Sequence, residues 1–442
     1  MFEFDPKVAH LLRRATLGPT YLEVARASEA GLAATLDSLV SQIDRPPTRQ
    51  EMMAAAIGGA FLRDARTLRA GWMLRMLSAP SSLREKLTLF WHGHFATAIA
   101  KVGDPALMAR QVDVLREMAL GSFRDMVLEM SRDPAMLIWL DNALNVKGAP
   151  NENFARELME LFTLGIGHYS ERDVQEVARA FTGWTLDGRS FRFDPSKHDD
   201  GEKTVLGRSG RLDGKDVVDH ICSLPRTPRF IAWKLWSFFV GSEPAEEDLA
   251  AMSGAYFDSG TQVGPMLKAM FRSPRFFEPA AVGTRVKGPV EFVVGLVRSL
   301  EAPADGQVYA DAAASIGQDL YNPPDVNGWP GGEQWISTYT LLERIRLVRR
   351  LVGQGRDDHV CGLDIRKVIS ENLISENEEL VDHMLLRFLH RRPAGPLRRT
   401  LLEFLAAGVR GRPTVRLGDA ERQEKIRGLI RLILCSQEYQ LC

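Results

Sequence analysis

Hydrophobic residues recur every three or four positions along most of this chain, the spacing that buries one face of an α-helix. The pattern predicts a mainly α fold, a multi-helical globular body. Ser170 and Asp173 form a capping box at the start of one helix, and Gly165 and Gly167 end the helix before it. The predicted helices lie near residues 7–14, 20–29, 31–42, 50–70, 81–91, 104–119, 122–131, 151–164, 171–182, 226–239, 247–257, 289–301, 333–351, 376–389, 396–407 and 420–437.

Two stretches break the helical period. Residues 184–215 contain Asp187-Gly188 between short alternating segments, which predicts a β-hairpin followed by a polar loop. Residues 322–332 are too rich in Pro and Gly for regular structure. We therefore expect a main helical domain over 1–355, with the hairpin-loop insertion near 184–215. A smaller C-terminal helical bundle should occupy 356–442.

The segment 151–165 separates most sharply into two faces. If its polar face lines a cleft, Arg156 keeps Glu152 ionised while burial raises the pKa of Glu157. One charged and one protonated carboxyl group are what acid–base hydrolysis of a glycosidic bond requires. The alternative is a polar network that joins this helix to its neighbours. The apolar face holds Phe154, Ala155, Leu158, Met159, Leu161 and Phe162, and the polar face holds Glu152, Asn153, Arg156, Glu157, Glu160 and Thr163.

Histidines supply a second kind of candidate chemistry. His92 and His94 could ligate one divalent metal ion if the backbone is extended there, because residues i and i+2 of a helix point apart. In the alternative, His94 packs between Trp91 and Phe95 while His92 caps the helix C-terminus. His198 lies in a polar loop, where it is a candidate general base or part of a solvated loop.

The composition and the absence of several known motifs exclude several classes of protein. The 442 residues carry a net charge of −1, with 45% hydrophobic residues, so no overall field attracts nucleic acid or an anionic membrane. Four separated cysteines fit neither a disulfide framework nor a thiolate metal site. Phosphate-loop, dinucleotide, serine-elbow and HExxH motifs are absent. The N-terminus lacks a signal-peptide pattern, and the longest apolar segment, residues 230–240, contains Lys234 and is too short to span a membrane. We therefore expect a soluble cytoplasmic protein.

Two functions from different classes stay open. The first is a hydrolase-like enzyme acting on a glycan or other polar polymer through Glu152, Glu157, Arg156 and His198, with or without a divalent metal as cofactor. Tryptophans beside the irregular loops, at 184, 329 and 335, favour a sugar ligand because their rings stack on sugars. For Trp329, between Gly328 and Pro330, the alternative is an anchor that holds its loop to the core. The second is a non-catalytic scaffold that assembles with a partner enzyme, and it should expose an apolar patch.

Six phrases of the sequence occur in a fixed order: LLRRATLGPT (11–20), FWHGHFAT (90–97), NENFARELMELFTLG (151–165), ARAFTGW (178–184), IAWKLW (231–236) and PDVNGWPGGEQWI (324–336). Taken together, they resemble the bacterial domain-of-unknown-function 1800 family. The resemblance runs from about residue 8 to beyond 400. It implies no activity and no catalytic residues. It does imply a partner protein encoded nearby, since genes of similar members often adjoin those of a second exported family, and many members are themselves exported.

Overall fold

The computed structural model describes residues 3–41, 64–78, 83–353, 362–372, 374, 376–393, 395–407 and 419–442. Helices dominate it, as the periodicity predicts, and the mainly α prediction is confirmed. In the first half of the described chain the helices are α1 (Pro6–Ala15), α2 (Tyr21–Ala30), α3 (Leu32–Val40), α4 (Ala65–Ser78), α5 (Leu83–His94), α6 (Ile99–Val102), α7 (Pro105–Met118), α8 (Phe123–Arg132), α9 (Pro134–Trp139), α10 (Asn153–Glu157), a π-helical stretch (Leu158–Thr163) and α11 (Glu171–Ala180).

Helices also fill most of the second half. They are α12 (Gly214–Ser223), α13 (Arg226–Phe239), α14 (Glu246–Asp258), α15 (Val263–Arg272), α16 (Pro289–Ser299), α17 (Gly306–Ser315), α18 (Thr338–Val352), α19 (Ile365–Glu371), α20 (Asn377–Leu389), α21 (Pro396–Ala406), α22 (Asp419–Cys435) and α23 (Gln437–Gln440). Of the helix predicted over 50–70, residues 50–63 lie outside the described residues. The sequence pattern did not predict α6, α9, α12, α15, α17, α19 or α23.

The non-helical prediction over 184–215 is confirmed for its hairpin. Strands β1 (Trp184–Asp187) and β2 (Ser190–Phe193) pair antiparallel, with Asp187 opposite Ser190. A second small hairpin follows, formed by β3 (Lys203–Val205) and β4 (Arg208–Gly210). The range extends two residues too far, because α12 already begins at Gly214.

Two hydrophobic cores hold the helices together. The first gathers side chains from α1 to α3 with those of the chain between about residues 83 and 281. The second combines α4, α7, α16 and α17 with the C-terminal helices, from Leu380 to Tyr439. The C-terminal helices therefore share a core with earlier parts of the chain. The division into 1–355 and 356–442 stays a prediction.

A buried charged centre links the two ends of the described chain. Glu291, in the first turn of α16, accepts hydrogen bonds from Lys86 at 2.7 Å and from Arg285 at 2.5 and 2.6 Å. Lys86 is 1% exposed and also donates to the carbonyl of Thr16. Burial alone would raise the pKa of Glu291, but Arg285 and Lys86 together hold it well below its usual range.

The two arginines of the 11–20 phrase connect helix ends. Arg14, which is fully buried, donates to the carbonyl groups of Phe239 and Val240 at the end of α13 and to that of Ala281. Arg13 donates to the carbonyl of Leu389 at the end of α20. Carbonyl groups at helix ends lack partners within the helix, so these guanidinium groups satisfy them. This phrase therefore has a structural explanation.

We expect Glu291→Gln to lower the free energy of unfolding by about 3–5 kcal/mol, because it leaves Lys86 and Arg285 buried without their counter-charge. Urea denaturation at pH 7 measures the change. The depressed pKa means that this stabilisation exists above the pKa of an unfolded glutamate and is lost at lower pH. The difference in free energy of unfolding between the wild type and Glu291→Gln should therefore shrink below about pH 4.

The matched control is Glu246→Gln, which removes the carboxylate of an exposed ion pair with Arg229. Little change in stability is expected there, since exposed pairs contribute little. Equal effects of the two substitutions would contradict the structural role of Glu291.

Candidate functional site

The acidic helix that begins near Asn151 changes its winding half-way. Asn153–Glu157 is α-helical, and Leu158–Thr163, called the π-turn from here on, is π-helical. The amide groups of Leu164 and Gly165 both donate to the carbonyl of Met159, at 2.9 and 3.1 Å. π-Helical turns are rare and are often found at functional sites. The predicted helix over 151–164 is thus confirmed in extent, but its second half has a different geometry.

The predicted apolar face packs inward. Phe154, Ala155, Leu158, Met159 and Phe162 are buried in the first core. Leu161, the sixth member of that face, is only half-buried.

Three side chains from distant parts of the sequence cap the end of the π-turn. His94 Nε2 lies 3.0 Å from the carbonyl oxygen of Phe162, Lys234 Nζ lies 3.3 Å from that of Leu161, and Arg226 Nε lies 2.8 Å from that of Leu164. These are the carbonyl groups that a helix end leaves without partners. His94 and Lys234 belong to the 90–97 and 231–236 phrases. Three of the quoted phrases therefore meet at the π-turn.

The protonation of these caps follows from their surroundings. Burial, together with the nearby Lys234 charge, holds the pKa of His94 well below its usual value. His94 is therefore neutral and its Nε2–H donates, since a carbonyl oxygen can only accept. Burial also lowers the pKa of Lys234, to about 8.

The polar face of α10 is mostly engaged in ion pairs at the surface. Arg156 lies 3.3 Å from Glu152, as the i,i+4 spacing predicts, and it also makes two 2.8 Å hydrogen bonds to Glu171 of the next helix. The side chains of Glu152 and Arg156 are more than one-third exposed. This arrangement fits the alternative of a network joining neighbouring helices. The catalytic roles assigned to Glu152 and Arg156 stay predictions.

Glu157 is different from its neighbours. It is half-buried, and none of the described residues donates a hydrogen bond to its carboxyl group. Burial raises its pKa and the charge of Glu160 raises it further, against a smaller effect of Arg156. The expected direction of this shift is thus supported. Glu160 in turn accepts a hydrogen bond from the hydroxyl of Tyr169, whose pKa is raised to about 12 by burial and by that bond.

The backbone around His92 and His94 is helical, not extended. Helix α5 continues through His94, so the condition for joint metal ligation is not met. His94 packs against Trp91 and Phe95, with ring centroids 5.4 and 4.6 Å away, as the alternative predicts. No group of three or more His, Cys, Asp or Glu side chains within the described ranges could hold a metal ion. The metal prediction gains no support from this geometry.

The alternative also predicted that His92 caps the C-terminus of the helix, and this prediction is wrong. His92 is fully buried among Trp72, Tyr321 and Trp329, with ring centroids between 5.3 and 5.5 Å away. Neither ring nitrogen has a hydrogen-bond partner in the part of the chain that the structure describes. Burial lowers its pKa to about 3, so the ring is neutral.

His198 is held within the hairpin region. Its Nδ1 lies 2.9 Å from the carbonyl oxygen of Thr182, and its ring packs edge-on against Phe193. The neighbouring Asp199 pairs with Arg179 at 2.8 Å. His198 is nearly buried, at 8% exposed, so a freely solvated loop is not what the structure has at this position. These contacts do not bring His198 to the π-turn, and its role as general base stays a prediction.

The tryptophans chosen as sugar platforms are mostly inaccessible. Trp184 is 4% exposed and Trp335 is 8% exposed. Trp329 is half-buried and packs on His92, and a side chain on Gly93 would contact its ring. It therefore anchors the 322–332 loop. That loop crosses Gly93 so closely that a Cβ on Gly328 would lie 2.2 Å from the carbonyl oxygen of Gly93.

The exposed aromatic residue near the π-turn is one that the sequence analysis missed. Trp233 is 41% exposed on α13, on the face opposite the buried Ile231 and Leu235. Ile166, just after the π-turn, is 77% exposed. Phe230, three residues before Trp233, lies so close to Gly165 that a Cβ on Gly165 would be 3.0 Å from its ring. Helical periodicity applied to residues 226–239 could have identified Trp233, because it falls outside the apolar stripe.

These observations define a mainly α protein whose candidate site is a capped π-helical turn with one half-buried, unpaired carboxyl group. The chain belongs to the family described as "Protein of unknown function (DUF1800)", which matches residues 10–441. The comparisons found no match among curated proteins and none among solved structures. Within the described ranges, none of the helices is long and apolar enough to cross a membrane.

We expect Glu160→Gln to lower the pKa of Glu157, because it removes the like charge that disfavours ionisation of Glu157. Carboxyl ¹³C NMR titration of the wild type and the variant measures the change directly. Glu152→Gln serves as the control, since Glu152 does not contribute to the shift, and it should leave the titration of Glu157 in place. If the titration curve of Glu157 shifts equally in both variants, the charge of Glu160 is not the cause of its raised pKa.

Proposed function

We propose that this chain is a hydrolase-like enzyme acting on a polar polymer such as a glycan, with the carboxyl group of Glu157 as the proton donor. The observation that carries the proposal is the raised pKa of this half-buried carboxyl group. An acid that must donate a proton near neutral pH needs such a shift, and perturbed groups of this kind concentrate at functional sites.

Glu160 is a better second carboxylate than Glu152. Residues three apart on a helix have Cβ atoms about 5–6 Å apart, and the charge of Glu160 acts on Glu157. Glycosidases use two carboxyl groups separated by about 5–10 Å. Glu152 instead shares Arg156 with Glu171. The proposal therefore replaces Glu152 with Glu160 as the partner of Glu157, and it uses neither His198 nor a metal ion.

Groups suited to a polar polymer lie at the C-terminal end of the π-turn, the end that follows this pair. The ring of Trp233 offers an apolar platform of the kind that stacks on sugar rings, and its Nε1 lies 3.3 Å from Glu243. The cations Lys234 and Arg226 border the same end of the π-turn, where hydroxyl or acidic groups of a polymer would find donors.

We expect Glu157→Gln to reduce the release of reducing ends from soluble polysaccharides by about 10²–10⁴-fold, since it removes a general acid while preserving shape. A panel of neutral and acidic polysaccharides, incubated with the purified full chain, provides the measurement. The wild-type rate should fall as pH rises through the pKa of Glu157, because only the protonated form donates.

Glu152→Gln is the matched control and should change the rate by no more than a few-fold. Equal rates for the wild type and Glu157→Gln would refute the role of Glu157. If the wild type releases nothing from any polysaccharide of the panel, the second candidate becomes the better one.

The second candidate is a non-catalytic scaffold that binds a partner protein. The exposure of Ile166 and of Trp233 favours it, because exposed apolar side chains are typical of a protein interface and Trp is a frequent hot-spot residue. The charges nearby are of both signs, so a partner with mixed charge would fit.

Placing a photo-crosslinking amino acid at position 233, in cells that naturally express the protein, tests this candidate. We expect a covalent adduct of one defined mass with a single protein. The same substitution at Phe257, which is 46% exposed on α14, is the control and should give none. Adducts of the same mass from both positions, or from neither, would contradict the scaffold.

A further inference from the structure

A small cavity of about 20 Å³ lies next to the buried charged centre, away from the π-turn. Its lining includes Arg13, Lys287, Glu291, His390 and Tyr439, contributed by α1, α16, α20, α23 and the segments beside them. A cavity of this size has room for about one water-sized occupant. Polyatomic anions such as sulfate are too large for it.

Cationic side chains outnumber carboxylate side chains in the lining of this cavity. Arg13 and Lys287 line it, whereas the carboxylate of Glu291 is already bonded to Lys86 and Arg285. Lys287 Nζ lies 3.7 Å from the centre of the Tyr439 ring. Burial, together with the charge of Arg13, lowers the pKa of Lys287 to about 7, so an anion beside this ammonium group would stabilise its protonated form.

An unsatisfied imidazole faces the same cavity. His390 is 7% exposed, and its Nε2 has no hydrogen-bond partner within the described residues. Burial, together with the charges of Arg13 and Lys287, keeps its pKa well below the usual value, so the ring is neutral. Its backbone φ of +54°, at the C-cap of α20, fixes its position as the helix ends. A neutral ring can donate Nε2–H to an anion and still avoid adding charge.

We propose that this cavity binds one small monovalent anion, such as chloride, through Lys287 Nζ and His390 Nε2. The anion adds counter-charge next to Lys287, beyond what Glu291 supplies. A buried water molecule is the competing occupant, since it would also fit and would accept the same two hydrogen bonds. Water, however, brings no counter-charge to Lys287.

Thermal unfolding of the full chain over a series of sodium chloride concentrations, compared between the wild type and two lysine variants, tests the proposal. Binding to the folded state should raise Tm by about 1–2 °C for each tenfold rise in chloride above its dissociation constant. Lys287→Met should lose this rise. Lys147→Met removes an exposed lysine and should preserve it. The same dependence of Tm on chloride in the wild type and in Lys287→Met would overturn the proposal.

Crystals of the wild type soaked in sodium bromide provide a test that needs no variant. Bromide scatters anomalously and can replace chloride. A peak in the cavity, in contact with Lys287 Nζ, is expected. If anomalous peaks occur only at the protein surface, or if the cavity holds density without anomalous signal, water is the occupant and the proposal is wrong. This measurement decides the question even if Lys287→Met does not fold.

Discussion

The structure depends on keeping one carboxylate, Glu291, charged in the interior. An isolated buried carboxylate would take up a proton, but Lys86 and Arg285 make the ionised form the stable one. This centre joins α5 to the start of α16, and Arg13 and Arg14 join the same region to the ends of α13 and α20. These polar contacts and the packing of the two cores therefore hold the same helices together.

The same logic explains much of the π-turn. A helix that ends inside a protein must satisfy its last carbonyl groups, and here a neutral imidazole, an ammonium and a guanidinium group do so. A histidine used in this way gains from being neutral, since burial would penalise its charged form. His94 is therefore a structural donor, and its place in the 90–97 phrase does not require a metal ion.

Sequence periodicity predicted most helices and the first hairpin, because these are local properties. It missed α15, where Gly264 and Pro265 suggest a break but fall in a first turn that tolerates them, and α17, whose alanines give little contrast between faces. The raised pKa of Glu157 could be predicted from its place at the apolar border. The caps could not, since His94, Lys234 and Arg226 lie 62 to 73 residues from the carbonyl groups they satisfy.

Function is best sought in the side chains that the fold leaves unused. Around the π-turn, Arg156, Tyr169, His94 and Lys234 all have partners that explain them. The carboxyl group of Glu157 is partly buried, which disfavours its ionised form, and it accepts no hydrogen bond from the described residues. The side chain of Trp233 is 41% exposed to water. Neither residue type benefits folding. Glutamine at position 157 would avoid burying a carboxylate, and a smaller polar residue at position 233 would avoid exposing an apolar ring. Residues that folding does not explain are the ones that need a ligand or a substrate to explain them. Glu157 directly precedes the π-turn, and Trp233 adjoins Lys234, which caps the other end of it.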